Sequence, residues 1–112
     1  LNQLLRIKAN FLTQCTDKLC NKNSVHYPHI DHYNEHYVIV YYVNDTDGDT
    51  VLFNEKWKPE DDGKIIDLTV KERVTPKRGR IVLFDGLHYH TSQNPTNHSE
   101  RIILNMNFTS IL

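Results

Sequence analysis

HYVIVYYVNDTDGDTVLFNE, residues 36–55, decides the fold. Positions 37–43 are almost entirely β-branched or aromatic, which is strand composition, and NDTDGD at 44–49 is a run of turn formers. TVLFNE at 50–55 then resumes the β pattern, with no helical period in between. Downstream the same rhythm continues. KWKPEDDGK (56–64) reads as a loop, and KIIDLTVKERV (64–74) as one or two short strands with Ile65, Ile66, Leu68 and Val70 inside. TPKRG (75–79) is a turn punctuated by Pro76 and Gly79, GRIVLFDG (79–86) is an apolar strand, and HSERIILNMNF (98–108) is the last strand. Short strands at intervals of roughly ten residues indicate a mainly β antiparallel sandwich or barrel.

Upstream the pattern differs. Residues 1–21 set Leu4, Leu5, Phe11, Leu12, Cys15 and Leu19 mostly on one face of a 3.6-residue period, which predicts a covering helix. A chain of 112 residues suffices for one domain, here 1–112, with the helix at 1–21 and the β core at about 26–110. It opens on Leu1 with no signal pattern, and the expectation is a domain lacking an N-terminal part of its protein.

Composition excludes some function classes. Thirteen basic against fourteen acidic residues give a net charge of −1, so no broad positive field for nucleic acid exists, and the local group Lys71, Arg73, Lys77, Arg78, Arg80 reads as a solvated turn. No apolar run approaches the ~18 residues of a membrane span. Cys15 and Cys20 form no disulfide framework or zinc knuckle by spacing and read as free thiols. A soluble protein, intracellular rather than secreted, is the expectation.

HYPHIDHYNEH, residues 26–36, holds four histidines. In an extended chain residues i and i+2 share a face, so His29 and Asp31 can direct an imidazole and a carboxylate at one point. A third ligand must come from LFDGLHYHTSQNP, as His88 or His90. Two neutral nitrogens and one carboxylate on one face of an octahedron leave positions open, the facial arrangement of non-haem Fe(II) oxygenases; catalytic zinc is the competing use. Arg101, on the last strand, offers a planar guanidinium that can grip a carboxylate through two parallel hydrogen bonds. His32 and His36 read as solvated or substrate-edge residues, and His98 as part of a turn.

The order HYPHID, VIVYYVNDTDGDTVLF, VTPKRGRIVLFDG, HTSQNP, ERIILNMNF resembles the iron- and 2-oxoglutarate-dependent dioxygenases, in particular their prolyl 4-hydroxylase-like branch, over residues 26–108. The resemblance implies a double-stranded β-helix, or jelly roll, with the N-terminal α-helix packed on the major sheet. It makes His29, Asp31 and His90 the iron ligands, His90 being preferred over His88 because it stands eleven residues before Arg101. Arg101 and Tyr42 would bind the distal carboxylate of 2-oxoglutarate, with Thr50, Leu52 and Asn105 lining the same pocket. The implied cofactors are Fe(II), 2-oxoglutarate and O2, with ascorbate keeping the iron reduced. The implied reaction is hydroxylation of an unactivated C–H bond with release of succinate and CO2, on a peptide or small-molecule substrate, a peptidyl proline first among them. A cupin-like jelly-roll metal protein using His88, His90 and another ligand is the alternative, and a non-catalytic jelly-roll binding domain a third reading.

Overall fold

The computed structural model describes residues 4–16 and 25–109. Seven strands occur among them: β1 (Leu4–Thr13), β2 (Tyr37–Tyr42), β3 (Thr50–Lys56), β4 (Val70–Val74), β5 (Ile81–Asp85), β6 (His88–Ser92) and β7 (Glu100–Phe108), with one 3-10 turn at Pro59–Asp61. They form two antiparallel sheets, ordered β1-β7-β2-β5 and β4-β3-β6. An isolated antiparallel bridge, His29↔His90, adds a further row beside β6.

The alternation in YVIVYY produces this packing. Val38, Val40 and Tyr42 are buried, whereas Tyr37, Ile39 and Tyr41 are half-buried on the other face. Val38, Val40 and Tyr42 of β2 pack with Leu52 of β3, Phe84 of β5 and Ile103 of β7, and Val74 of β4 and Val82 of β5 lean on them. Both sheets thus contribute to one core, and each such side chain is worth roughly 1.5–3 kcal/mol when fully buried.

The structure corrects the expected N-terminal α-helix. Leu4–Thr13 is a strand, paired with β7 from Leu4↔Phe108 to Thr13↔Glu100. Residues 6–11 alternate strictly, with Arg6, Lys8 and Asn10 against Ile7, Ala9 and Phe11, and the open edge of β7 satisfies every second backbone group of such a segment, which overrides the helix propensity of Leu, Arg, Lys and Ala. The remainder of the expected helix, 17–21, lies outside the described residues. After β1 the chain is held by Gln14 N–H to the Ser99 carbonyl and Cys15 N–H to the Pro95 carbonyl. Cys15 is disulfide-bonded, which corrects the free-thiol reading there; Cys20 lies outside the described residues.

Two smaller corrections follow. Of KIIDLTVKERV only Val70–Val74 forms a strand. Ile65 is 94% exposed, so it is not a core residue. HYHTS, 88–92, forms β6 although its composition is polar, because β3 pairs with it from Thr50↔Ser92 to Leu52↔His90 before the register breaks.

Candidate metal centre and anion cradle

The His29↔His90 bridge builds the site. Its two residues exchange both backbone hydrogen bonds, His29 N–H to the His90 carbonyl at 3.0 Å and His90 N–H to the His29 carbonyl at 3.1 Å. Their rings stand 4.6 Å apart, and Asp31 reaches the same point from two residues on. One ligand atom from each of His29, Asp31 and His90 lies within 4.8 Å of the others. Asp31 Oδ1 is 3.3 Å from His29 Nε2 and 3.6 Å from His90 Nε2. Separations of this order let the three side chains share one ion.

Tautomers follow from partners. The Nδ1 of His29 faces the Tyr27 carbonyl at 3.4 Å and that of His90 faces the His88 carbonyl at 2.9 Å. A carbonyl only accepts, so each Nδ1 carries a proton and Nε2 is the nitrogen presented to Asp31. The buried Nε2 of His90 has no hydrogen-bond partner. Such an atom beside a carboxylate oxygen calls for a cation between them. The hydrogen bond to Asp31 raises the His29 pKa above its ordinary value, against the opposing effect of burial. Burial works to raise the Asp31 carboxyl, but the His29 and His90 rings and the Asn107 amide hold it well below the usual carboxylate range. The donor set therefore fits a divalent metal.

Asn107 is a site residue that sequence reasoning missed. Its Nδ2 donates to Asp31 Oδ2 at 3.0 Å and to Asn105 Oδ1 at 3.1 Å, and the residue is 1% exposed. It fixes one carboxylate oxygen and leaves Oδ1 to the histidines. The available signal was the i, i+2 series Arg101, Ile103, Asn105, Asn107, one face of β7. His88 stands apart from the metal group. Its Nδ1 donates to the Phe53 carbonyl at 2.9 Å, where the β3–β6 register is interrupted.

The second cluster lies further along the same face of β7. Arg101 is 1% exposed, donates Nε–H to the Gly48 carbonyl at 2.6 Å and Nη2–H to Thr50 Oγ1 at 2.9 Å, and has its guanidinium carbon 5.9 Å from the centre of the Tyr42 ring. Tyr42 donates its hydroxyl to the same Thr50 Oγ1 at 2.7 Å. Burial lowers the Arg101 pKa from its ordinary value and raises that of Tyr42. Among the described residues no ion pair within 4 Å engages the guanidinium, and Asp49 acts on it only at longer range. Thr50 accepts from both neighbours, which leaves its own hydroxyl proton to donate elsewhere. An anion placed there would satisfy all three groups.

Local sequence explains the cradle. Gly48 has φ +91°, and a Cβ on it would meet the Gln93 carbonyl oxygen at 2.6 Å and Arg101 Cδ at 3.1 Å, so only glycine lets this carbonyl approach the guanidinium. Asn44 takes β7 on both sides of Arg101, donating to the Glu100 carbonyl at 3.0 Å and accepting from Ile102 N–H at 3.0 Å. Leu52 is buried directly opposite His90 in the β3–β6 pairing, and Asn105 pairs with Val40 on one side and Lys8 on the other. His36 is 1% exposed, which corrects its solvated reading: Nδ1 donates to the Asn34 carbonyl at 2.7 Å and the ring fills the space above Gly86.

A family model for the 2OG-Fe(II) oxygenase superfamily matches residues 13–109. The chain belongs to that superfamily. Membership makes it an oxygenase-type enzyme and implies Fe(II), 2-oxoglutarate and O2, for which the triad is a fitting metal-binding group. No curated protein matches the chain. Among the described residues of this oxygenase no helix is long and apolar enough to cross a membrane.

Proposed function

We propose that this oxygenase is a hydroxylase of the prolyl 4-hydroxylase-like kind, built on a jelly roll, in which His29, Asp31 and His90 hold Fe(II) and Arg101 holds the distal carboxylate of 2-oxoglutarate. The observation that carries the reading is the pairing of two unmet demands on one strand face. A buried guanidinium with no ion pair within 4 Å among the described residues stands near one end of β7, and a His-Asp-His donor set that fits a divalent metal stands near the other. 2-Oxoglutarate is an anion at one end and a metal-chelating 2-oxo acid at the other, so one molecule meets both demands.

Fe(II) held by His29, Asp31 and His90, with 2-oxoglutarate held by Arg101, would supply the oxidising power from O2, one oxygen atom going to succinate as CO2 leaves and the other to the substrate. The protein's own residues bind and orient. Asn107 holds the Asp31 carboxylate in one rotation, and the two Nδ1–carbonyl bonds hold the imidazoles edge-on to the metal position. Tyr42, Thr50 and Arg101 form a preassembled donor set, so little side-chain entropy is lost on cosubstrate binding. Leu52 and Phe84 keep the floor beside His90 dry, and Asn105 lines the space between the two clusters. The substrate is a peptide or small molecule carrying an unactivated C–H bond, with a peptidyl proline as the leading candidate.

The test is succinate formation from 2-oxoglutarate with Fe(II), O2 and ascorbate. We expect turnover that disappears in Asp31→Ala. Arg101→Lys should weaken 2-oxoglutarate binding by roughly tenfold or more in calorimetry, since Lys loses the fork that reaches Gly48, Thr50 and the ligand together. Full turnover in Asp31→Ala, or unchanged cosubstrate affinity in Arg101→Lys, would overturn the assignment.

A further inference from the structure

We infer that Arg6 and Lys8 of β1 form an anion subsite beside the metal ligands, which selects, among peptides and small molecules, a substrate with a carboxylate or phosphate next to the oxidised unit, for a peptidyl proline an acidic or phosphorylated neighbouring residue. This rests on the metal-site reading above. Arg6, Lys8 and Asn10 line a cavity of about 280 Å³ together with His29, Asp31 and Asn105. The register explains why they meet: Arg6 lies opposite Asn107, Lys8 opposite Asn105 and Asn10 opposite Ile103, so their side chains stand on the face of the sheet that carries the whole site.

Both faces of β1 are open over Arg6–Phe11. Ile7 and Phe11, on one face, are each 57% exposed; on the other, beside the metal group, Arg6 and Lys8 are exposed and Asn10 is half-buried. The site-facing surface of β1 thus presents two cations and an amide, and nothing apolar, to the cavity. Among the described residues neither Arg6 nor Lys8 has a hydrogen-bonding or ion-pair partner, and the one carboxylate in the cavity, Asp31, is already engaged by His29, His90 and Asn107.

Two cations at i and i+2 stand about 6.6 Å apart along the strand and can straddle one anionic group, Arg through a bidentate fork and Lys as a point charge. The cavity is at the small end of ligand sites, which suits a single side chain or a small metabolite. It adjoins the ligands His29 and Asp31 and not Arg101, so the anion held there is distinct from the distal carboxylate of the cosubstrate. An acidic or phosphorylated group on β1 would hold the neighbouring carbon against the metal.

The experiment uses the chain loaded with Mn(II) and 2-oxoglutarate without O2, with inorganic phosphate and acetate as probes. Paramagnetic broadening of the phosphate 31P and the acetate 13C signals reports an anion near the metal. We expect saturable broadening by at least one probe, with phosphate alone assigning a phosphorylated substrate and acetate alone a carboxylate. In Arg6→Gln/Lys8→Gln binding should weaken roughly tenfold or more, as loss of charged hydrogen bonds implies, while 2-oxoglutarate affinity is retained. Lys8→Gln alone should show an intermediate loss. Broadening that persists unchanged in the double variant places the anion on the metal and overturns the subsite, as does absence of broadening by both probes. A parallel loss of 2-oxoglutarate affinity assigns the cations to the cosubstrate and also overturns it. Failure of Mn(II) to bind, seen in its EPR signal, is failure of the metal reading instead; amide shifts of Arg6 and Lys8 during phosphate titration then decide the subsite, their absence counting against it.

Discussion

Asn107 shows how a single side chain can tune the metal group without touching the metal position. Its amide holds Asp31 Oδ2, and removing it frees the carboxylate to rotate away from the histidines. Asn107→Ala is expected to lower Mn(II) affinity by about 10- to 100-fold, the usual cost of losing a partner of a ligand, while the fold survives; competition with a chelator measures the first and circular dichroism the second. The i, i+2 relation of His29 and Asp31 was legible because it depends only on local extension. The role of Asn107 was not, because it depends on register across strands far apart in sequence. The site-facing cations Arg6 and Lys8 were hidden for a related reason: with residues 1–21 taken as helical, they read as polar residues between its apolar positions.

Among the elements, the connection from β2 to β3 determines how well the anion cradle is formed. Asp47 ties this connection to the β6–β7 loop, accepting from Thr96 N–H and Thr96 Oγ1 at 2.8 Å each, from Asn97 N–H at 3.1 Å and from His98 Nδ1 at 2.9 Å. Burial acts to raise its carboxyl, but these donors win and hold its pKa at about 2. A carboxylate whose folded pKa lies below its unfolded value stabilises the fold above the unfolded pKa, and the effect fades as pH falls through the folded pKa. The stability difference between the natural chain and Asp47→Asn should therefore be constant above about pH 5 and shrink between about pH 4 and pH 2, read from urea midpoints at each pH. Gly48→Ala should destabilise by about 1–3 kcal/mol, since the positive φ and the Gln93 carbonyl both oppose a side chain, and the same change should weaken 2-oxoglutarate binding by displacing Arg101. Paired thermal melts and calorimetry check both. The strands β2, β3, β5 and β7 were readable from β-branched and aromatic runs. β1 and β6 were not, since Arg-Ile-Lys-Ala-Asn-Phe suits either period over a short window and His-Tyr-His-Thr-Ser has little apolar content.

For the whole molecule, the spacing of short strands pointed to an antiparallel sandwich or barrel, and the chain forms two sheets over one core. The lean core makes stability depend on what the site holds. Saturating Mn(II) with 2-oxoglutarate should raise the melting temperature by several degrees without O2, since ~100-fold excess over Kd adds about 2.7 kcal/mol. Asp31→Ala should abolish the metal-dependent part of that rise.

The reciprocal hydrogen bonds of His29 and His90 bear on how the site comes apart. Because each amide is closed by the other residue's carbonyl, neither can be exposed to solvent deuterium unless the pair separates, and separation pulls two members of the candidate metal group apart at once. The two amides should therefore show one common opening free energy, and bound metal should raise it equally for both. Opening of the backbone and dispersal of the donor set are then a single event.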